Sequence, residues 1–134
     1  MSTQHTPVAQ DSAAVTIARA HIEAWSNHDW TNARDRLAAD VHVTATTTQP
    51  TMPTTDLTGI DDYMHGLKEF AQPIVPGSAR VLATVGDDGN ALLLVAVEAD
   101  FGAGPITLTA ARLYLLDEDD KITAERVIFF IAPN

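Results

Sequence analysis

The stretch ALLLVAVEADFGAGPITLTAARLYLLDEDDKITAERVIFF, residues Ala91 to Phe130, decides the fold. It contains three long apolar runs, separated by short segments rich in Gly, Pro or Asp, which turns favour. A fourth run precedes it, beyond the turn signal DDGN at residues 87–90. Strands with such short connections pair with their sequence neighbours in an antiparallel meander. The predicted strands are Ser78–Val85, Ala91–Phe101, Ile106–Leu116 and Ile122–Ile131.

The residues before these strands predict three helices. In the first, apolar side chains recur at three- and four-residue steps, and Asp11 or Ser12 can cap its start. Asp29 can cap the second helix, while Thr58 and Asp61 resemble a capping box at the start of the third. The expected elements are helices at Ser12–Ser26 and Trp30–Ala38, a strand at Val41–Ala45, a loop at Thr46–Thr55, and a helix from Thr58 that ends before Pro73.

Length and charge restrict the classes of protein and partner. The chain has 134 residues, the size of one domain. We expect residues 1–10 to form a flexible arm and residues 11–134 to form that domain. The net charge of −10 repels phosphate backbones and anionic lipids, so neither nucleic acid nor a membrane is an expected partner. The sequence lacks cysteine, a secretory signal and a long apolar run, and we expect a soluble, cytoplasmic protein.

The predicted strands are apolar on both faces. In Ala91–Phe101, Leu92 and Leu94 alternate with Leu93 and Val95. A sheet with two apolar faces has to be covered on both sides. Three helices can cover one face only, so we expect the other face to meet a second copy of the chain in a homodimer.

Three segments, taken in order, resemble a known superfamily. They are IARAHIEAWSNHDWTNARDRLAADVHV (Ile17–Val43), LTGIDDYMHGL (Leu57–Leu67) and ARLYLLDEDDKITAERVIFF (Ala111–Phe130). Their order and spacing resemble the nuclear transport factor 2-like superfamily, or cystatin-like cone, in its SnoaL-like and ketosteroid isomerase-like branch. The resemblance implies an α+β fold in which a curved antiparallel sheet wraps around three helices. It also implies an apolar pocket inside this cone, and homodimers are common in the superfamily.

The superfamily includes ketosteroid isomerases, polyketide cyclases, dehydratases, epoxide hydrolases and non-catalytic binding modules, so the fold alone does not give the function. In a match to ketosteroid isomerases, His21 stands where those enzymes have a tyrosine. Thr44 or Ala45 stands in place of their catalytic aspartate, and Ala110 or Ala111 in place of their neutral aspartic acid. Two of the three isomerase groups are therefore absent, which argues against steroid isomerisation by that mechanism.

The candidate catalytic residues are His21 and Glu98. His21 lies near the edge of the apolar stripe of the first helix, where an imidazole that points into the cone could exchange a proton near pH 7. Glu98 and Asp100 share a strand face with Leu94, and the resemblance makes this the concave face, although a register slip of one residue reverses it. His21 and Glu98 would then form a dyad. The alternative for His21 is a structural histidine that hydrogen-bonds to a backbone carbonyl. The alternative for Glu98 and Asp100 is that both carboxylates lie in water near the end of the strand.

The remaining candidates would bind the ligand rather than react with it. They are Trp25, Tyr63, Leu67, Leu94, Asp100 and Leu113. Trp25 and Tyr63 have a second interpretation as ordinary core residues. Arg112 and Tyr114 are predicted to point outward. The histidines lack the spacing of a helical zinc site, and no phosphate-binding loop or serine-nucleophile motif is present, so we expect neither a metal nor a cofactor.

The sequence therefore predicts a SnoaL-like protein that binds a small apolar organic molecule in a cone-shaped pocket. Two hypotheses about the pocket remain open. In the first, it performs cofactor-free acid–base catalysis of the isomerase or cyclase type. In the second, it is a non-catalytic module of the same fold for ligand binding or dimerisation.

Overall fold

The structure, a computed structural model, describes residues 11–47 and 54–130. The predicted arm at residues 1–10 and residues 48–53 of the predicted loop lie outside this description. The elements in chain order are listed here with their bounds: α1 (Ala13–Ser26), α2 (Trp30–Asp35), β1 (Leu37–Thr47), β2 (Thr55–Thr58), α3 (Ile60–Ala71), β3 (Arg80–Gly86), β4 (Asn90–Asp100), β5 (Pro105–Leu116) and β6 (Ile122–Phe130).

The strands form one six-stranded sheet in the order β2-β1-β6-β5-β4-β3. The four strands β3 to β6 make the predicted antiparallel meander, while β1 lies parallel to β6 and antiparallel to β2. The sheet is curved and unclosed. The α1 helix packs against β3, β4 and β5, and α3 packs against β1 and β2. The predicted α+β cone is confirmed.

The helix caps follow from short polar side chains. Ser12 accepts a hydrogen bond from the Val15 amide at 3.3 Å, and Asp29 accepts one from the Asn32 amide at 3.3 Å. Each side chain satisfies an amide that has no partner within its own helix. Both caps agree with the sequence prediction.

Two predicted boundaries were wrong because strand pairing outweighs local preference. The second helix ends at Asp35 rather than Ala38, since the chain from Leu37 onward joins β6 as β1. Residues Thr55–Thr58, predicted as the end of a loop and the start of a helix, form β2 against β1. The third helix is therefore capped by Gly59 at φ 96°, without a side-chain cap, and the expected capping box is absent there.

The strand faces are the reverse of those predicted. On β4, Leu93, Val95 and Val97 are buried against the helices, whereas Leu92 is exposed and Leu94 is half-buried on the opposite face. The cross-strand register extends this arrangement to the next strands, where Arg112, Tyr114 and Glu125 face the helices. We call the opposite surface the outer face.

Candidate functional site

A cavity of about 390 Å³ opens between α3 and the inner face of β1, β2, β5 and β6. Its walls are mostly apolar. The exposed charged side chains at its mouth come from α3, whereas two charged side chains deeper in the cavity are buried. The lining consists of Val43, Ala45, Thr55, Leu57, Asp62, Tyr63, His65, Gly66, Leu67, Glu69, Phe70, Arg112, Glu125, Val127 and Phe129.

The deep end of the cavity carries a buried polar cluster of Tyr63, Arg112 and Glu125. The Tyr63 hydroxyl lies 2.6 Å from Oε1 of Glu125, and Arg112 donates to Oε2 of Glu125 at 3.2 Å. Arg112 is 5% exposed and Glu125 is 2% exposed. Burying a charged pair costs free energy unless its polar atoms have partners. The Glu125 carboxylate has a donor on each oxygen, whereas Nε of Arg112 makes no hydrogen bond with a described residue.

His21 stands behind Tyr63 and does not line the cavity. Its Nε2 lies 2.9 Å from the Tyr63 hydroxyl oxygen, and its Nδ1 lies 3.1 Å from the backbone oxygen of Ala33. The imidazole, which is fully buried on α1, therefore bridges α2 and α3. A chain of close polar contacts runs from Ala33 through His21 and Tyr63 to Glu125 at the cavity wall.

Aromatic rings hold the Arg112 guanidinium in place. Its central carbon lies 4.9 Å from the ring centroid of Trp25, 5.6 Å from that of Phe70 and 5.8 Å from that of Phe129. Aromatic faces attract cations, and this attraction is stronger where water is excluded. The rings therefore hold the guanidinium beside Glu125, and they do so without a second carboxylate that would compete with Glu125 for it.

Burial shifts the pKa values of several groups in the cluster. It lowers the pKa of His21 from 6.5 to about 4, although Glu125 acts in the opposite direction. Burial, reinforced by the charge of Glu125, raises the pKa values of Tyr63 and Tyr114 well above their usual value. At neutral pH, His21 is thus a neutral imidazole and both tyrosines are neutral phenols. The Tyr114 hydroxyl, although buried near Glu125, makes no hydrogen bond with a described residue.

The structure brings some of the predicted site residues together. Tyr63 and Leu67 line the cavity, while Trp25 is a core residue that contacts two of the lining residues, Arg112 and Phe70. His21 reaches the cavity only through Tyr63.

The structure does not bring the other predicted site residues to this cavity. Glu98, Leu94 and Leu113 lie on the outer face. There, Glu98 accepts a hydrogen bond from Thr107 at 2.8 Å and lies 3.8 Å from Arg80. Asp100 accepts from the Gly102 amide at a strand end. The predicted dyad of His21 and Glu98 is therefore not formed, because alternation along a strand shows which residues share a face but not which face meets the helices.

Sequence reasoning missed Arg112 and Glu125. Both residues lie on strands that are apolar on both faces. The alternation of side chains along these strands therefore did not indicate which face packs against the helices. The cross-strand register supplies the missing signal, because it aligns Tyr114 with Glu125 and Arg112 with Val127 on a single face. Tyr63, the third member, was recognised from the helical stripe of α3.

Within residues 11–47 and 54–130, no three His, Asp or Glu side chains are placed so that they could hold a metal ion. In the same part of the chain, each helix is too short or too polar to cross a membrane.

Comparisons with known proteins agree with this fold. A protein from Kribbella flavida DSM 17836 superposes with a TM-score of 0.74 at 26% identity, over 89% of this chain and 88% of that one. An LEH-like epoxide hydrolase from Mycobacterium tuberculosis superposes with a TM-score of 0.68 at 14% identity, over 87% of this chain and 82% of that one.

A protein from Shewanella denitrificans OS-217, described as a SnoaL-like polyketide cyclase, superposes with a TM-score of 0.67 at 11% identity, over 87% and 89% of the chains. At such identities the last two likenesses show the fold alone. A search of curated proteins found no match. The family model for the SnoaL-like domain matches residues 18–125, most of the chain. The chain therefore belongs to the SnoaL-like domain family, within the nuclear transport factor 2-like superfamily.

Proposed function

We propose that the protein binds a small, mostly apolar organic molecule in this cavity and exchanges a proton with it through Glu125, without a cofactor. One observation carries the proposal: the buried residue Glu125 lines a mostly apolar cavity of about 390 Å³, and its carboxyl group is held by Tyr63 and Arg112. Ligand pockets typically combine apolar walls with a few polar groups that fix orientation. Glu125 takes the role that the sequence had suggested for Glu98.

Each polar residue has a distinct role in this proposal. Glu125 is the acid–base group in this proposal, since the residue lines the cavity and its carboxyl group would be within reach of a bound molecule. Arg112 is the nearby positive charge that would stabilise an oxygen of the ligand as negative charge develops on it. Apolar walls formed by Leu67, Phe70 and Phe129 would exclude water and so strengthen both interactions. These roles suit a ligand with an apolar body and one carbonyl-like oxygen.

The comparisons support this type of chemistry without identifying a substrate. The structural neighbours include proteins described as an epoxide hydrolase and a SnoaL-like polyketide cyclase, names that denote chemistry on small organic molecules. For this chain, that is a reason to test such ligands first.

The decisive substitution is Glu125→Gln, which keeps the size of the side chain and removes the carboxylate. The matched control is Glu98→Gln, the same change at a half-buried carboxylate on the outer face. We expect a panel of enolisable ketones and polyketide mimics to contain a ligand that the wild-type protein turns over. Glu125→Gln should reduce that turnover by about 100-fold or more, the usual contribution of a general acid–base group, and Glu98→Gln should leave it unchanged.

Equal turnover by the wild-type protein and Glu125→Gln would overturn the catalytic role of Glu125. A panel that binds but is not converted by either protein would favour the second candidate function, a non-catalytic ligand-binding module. One observation supports that alternative: both oxygens of Glu125 already have protein donors, as expected for a carboxylate with a structural role.

We also propose that two copies of the chain pair through the outer face. This face exposes apolar side chains, listed with their exposed fractions: Val85 65%, Leu92 42%, Ile128 45% and Phe130 49%. The same face carries Arg80 and Arg126 as well as Glu98. Because it holds both signs of charge, it can be complementary to itself across a two-fold axis.

A further inference from the structure

We propose that proton uptake by Glu125 is coupled to His21 through the Tyr63 hydroxyl. While Glu125 is ionised, the row of contacts from His21 through Tyr63 to Glu125 has one hydrogen too few. The proton that Glu125 takes from a ligand supplies that hydrogen. This inference rests on the proposed function, because it takes Glu125 as the group that exchanges a proton with the ligand. It assigns His21 a positioning role, since His21 does not touch the cavity.

The argument begins with the donors and acceptors at His21. A backbone carbonyl oxygen can only accept, so the 3.1 Å contact with Ala33 places a hydrogen on Nδ1 of His21. Burial lowers the pKa of His21 to about 4, so at neutral pH the ring carries a single hydrogen. Nε2 of His21 is therefore a bare acceptor that faces the Tyr63 hydroxyl.

Two contacts remain, and each needs one hydrogen. They are the 2.9 Å contact between Nε2 of His21 and the Tyr63 oxygen, and the 2.6 Å contact between that oxygen and Oε1 of Glu125. With a neutral imidazole and an ionised carboxylate, the phenol supplies the one hydrogen available. While that hydrogen points to Glu125, two lone pairs face each other between Tyr63 and His21, an arrangement that costs free energy in a buried site.

A proton on Glu125 removes this deficit. When a ligand gives up a proton, its bond to hydrogen breaks, its electron pair stays on the ligand, and an O–H bond forms on Glu125. The protonated carboxyl can then donate to the Tyr63 oxygen, and the Tyr63 hydroxyl turns to Nε2 of His21. Both contacts now have a hydrogen, and Arg112 remains to offset the negative charge left on the ligand.

Several charged and titratable groups surround Glu125 and His21. Arg112 and the phenols of Tyr63 and Tyr114 face Glu125, while Arg112, Arg36 and Glu125 act on His21. Nη1 of Arg112 lies 3.2 Å from Oε2 of Glu125, so the cation stays beside the carboxyl group during proton transfer. Because a proton on Glu125 completes the chain of hydrogen bonds to His21, the chain would favour proton transfer from a ligand to Glu125.

The test is an NMR titration of the full chain without a ligand, with the His21 ring nitrogens and the Glu125 carboxyl carbon observed together. We expect hydrogen on Nδ1 and none on Nε2 at neutral pH. As the carboxyl is protonated, the Nε2 resonance should shift in step with it, because the Tyr63 hydroxyl turns toward that atom. In Tyr63→Phe the two signals should titrate independently.

Two substitutions at His21 provide a matched pair. In His21→Gln the amide can donate to Ala33 and present its oxygen to Tyr63, so the midpoint of the Glu125 titration should stay near the wild-type value. His21→Met removes the acceptor at similar volume, and the midpoint should fall by about one pH unit, the equivalent of one hydrogen bond.

Two results for the wild-type protein would overturn the inference: a hydrogen on Nε2 of His21 at neutral pH, or an Nε2 resonance that does not shift as Glu125 is titrated. A Glu125 midpoint that is the same in the wild type, His21→Gln and His21→Met would also overturn it. If His21→Met fails to fold, the wild-type and Tyr63→Phe measurements still decide the question. Failure here leaves the Glu125→Gln result standing. Loss of the proposed function would remove the ligand as the source of the proton, but the ligand-free titration would still show the contact between His21 and Glu125 through Tyr63.

Discussion

His21 shows at the scale of a single residue how burial turns a common titratable group into a neutral one. The side chain is fully buried and both ring nitrogens contact protein oxygens. The sequence predicted His21 near the edge of the apolar stripe of the first helix, as an imidazole that points into the cone and exchanges a proton near pH 7. The alternative interpretation, a histidine satisfied by a backbone carbonyl, describes its contact with Ala33 correctly, but it does not describe the contact with Tyr63.

We predict that His21 makes the stability of the fold depend on pH. Its folded-state pKa is about 4, below the ordinary value of 6.5. Between these two values the unfolded chain binds a proton at His21 and the folded chain does not. The free energy of unfolding should therefore fall as the pH is lowered through this window, by at most about 1.4 kcal/mol per pH unit.

Urea unfolding at a series of pH values checks this prediction. His21→Gln should show a flatter dependence, because it lacks the titrating group. His65→Gln, the same substitution at an exposed position on α3, should keep the wild-type slope. A slope that is the same in wild type and His21→Gln would contradict the prediction.

At the scale of elements, the hairpin between β3 and β4 anchors the start of α1. The Ala14 amide donates to the Asp87 carbonyl at 3.2 Å, and Asp87 itself accepts from the Gly89 and Asn90 amides at 2.9 and 2.8 Å. The turn predicted from DDGN is thus confirmed. It also brings Gly86 close to Val15, a contact between elements that the sequence does not reveal.

We predict that Gly86→Ala destabilises the protein and Gly89→Ala does not. A Cβ at Gly86 would lie 2.6 Å from the Asn90 carbonyl oxygen and 2.8 Å from a Val15 methyl group, whereas a Cβ at Gly89 would have no neighbour within 4 Å. Backbone cannot yield as readily as the end of a side chain, so we expect a loss of roughly 1–3 kcal/mol at Gly86. Thermal or urea unfolding measures the difference, and equal stabilities would refute the explanation.

Element boundaries were predictable where local chemistry decides them. Ser12 and Asp29 cap their helices as expected. The boundaries at Leu37 and Thr58 were wrong because both residues pair with strands distant in sequence, Leu37 with β6 and Thr58 with β1. Hydrogen bonds between paired strands satisfy the same backbone N–H and C=O groups that a helix would satisfy. Local helix and strand propensities contain no information about a distant pairing partner, so they cannot predict which structure forms.

At the scale of the whole molecule, the outer face of a single chain leaves several large apolar side chains exposed. We predict a mass of two chains in analytical sedimentation at micromolar concentration. Leu92→Lys combined with Ile128→Lys should shift that mass to one chain, because buried unpaired charges would oppose the interface. Val75→Lys, a charge at an exposed apolar residue outside the sheet, serves as the control. A wild-type mass of one chain would count against pairing.

The sequence by itself determined the meander of four strands, the three helices before it, the acidic charge and the SnoaL-like resemblance. These depend on periodicity, turn residues and motif order, all of which are local or additive along the chain. The tertiary structure decided which sheet face meets the helices, and with it the position of Glu98 on the outer face and the inward positions of Arg112 and Glu125. The reason is physical: alternation divides a strand into two sets of side chains, and only packing against α1 and α3 determines which set is enclosed.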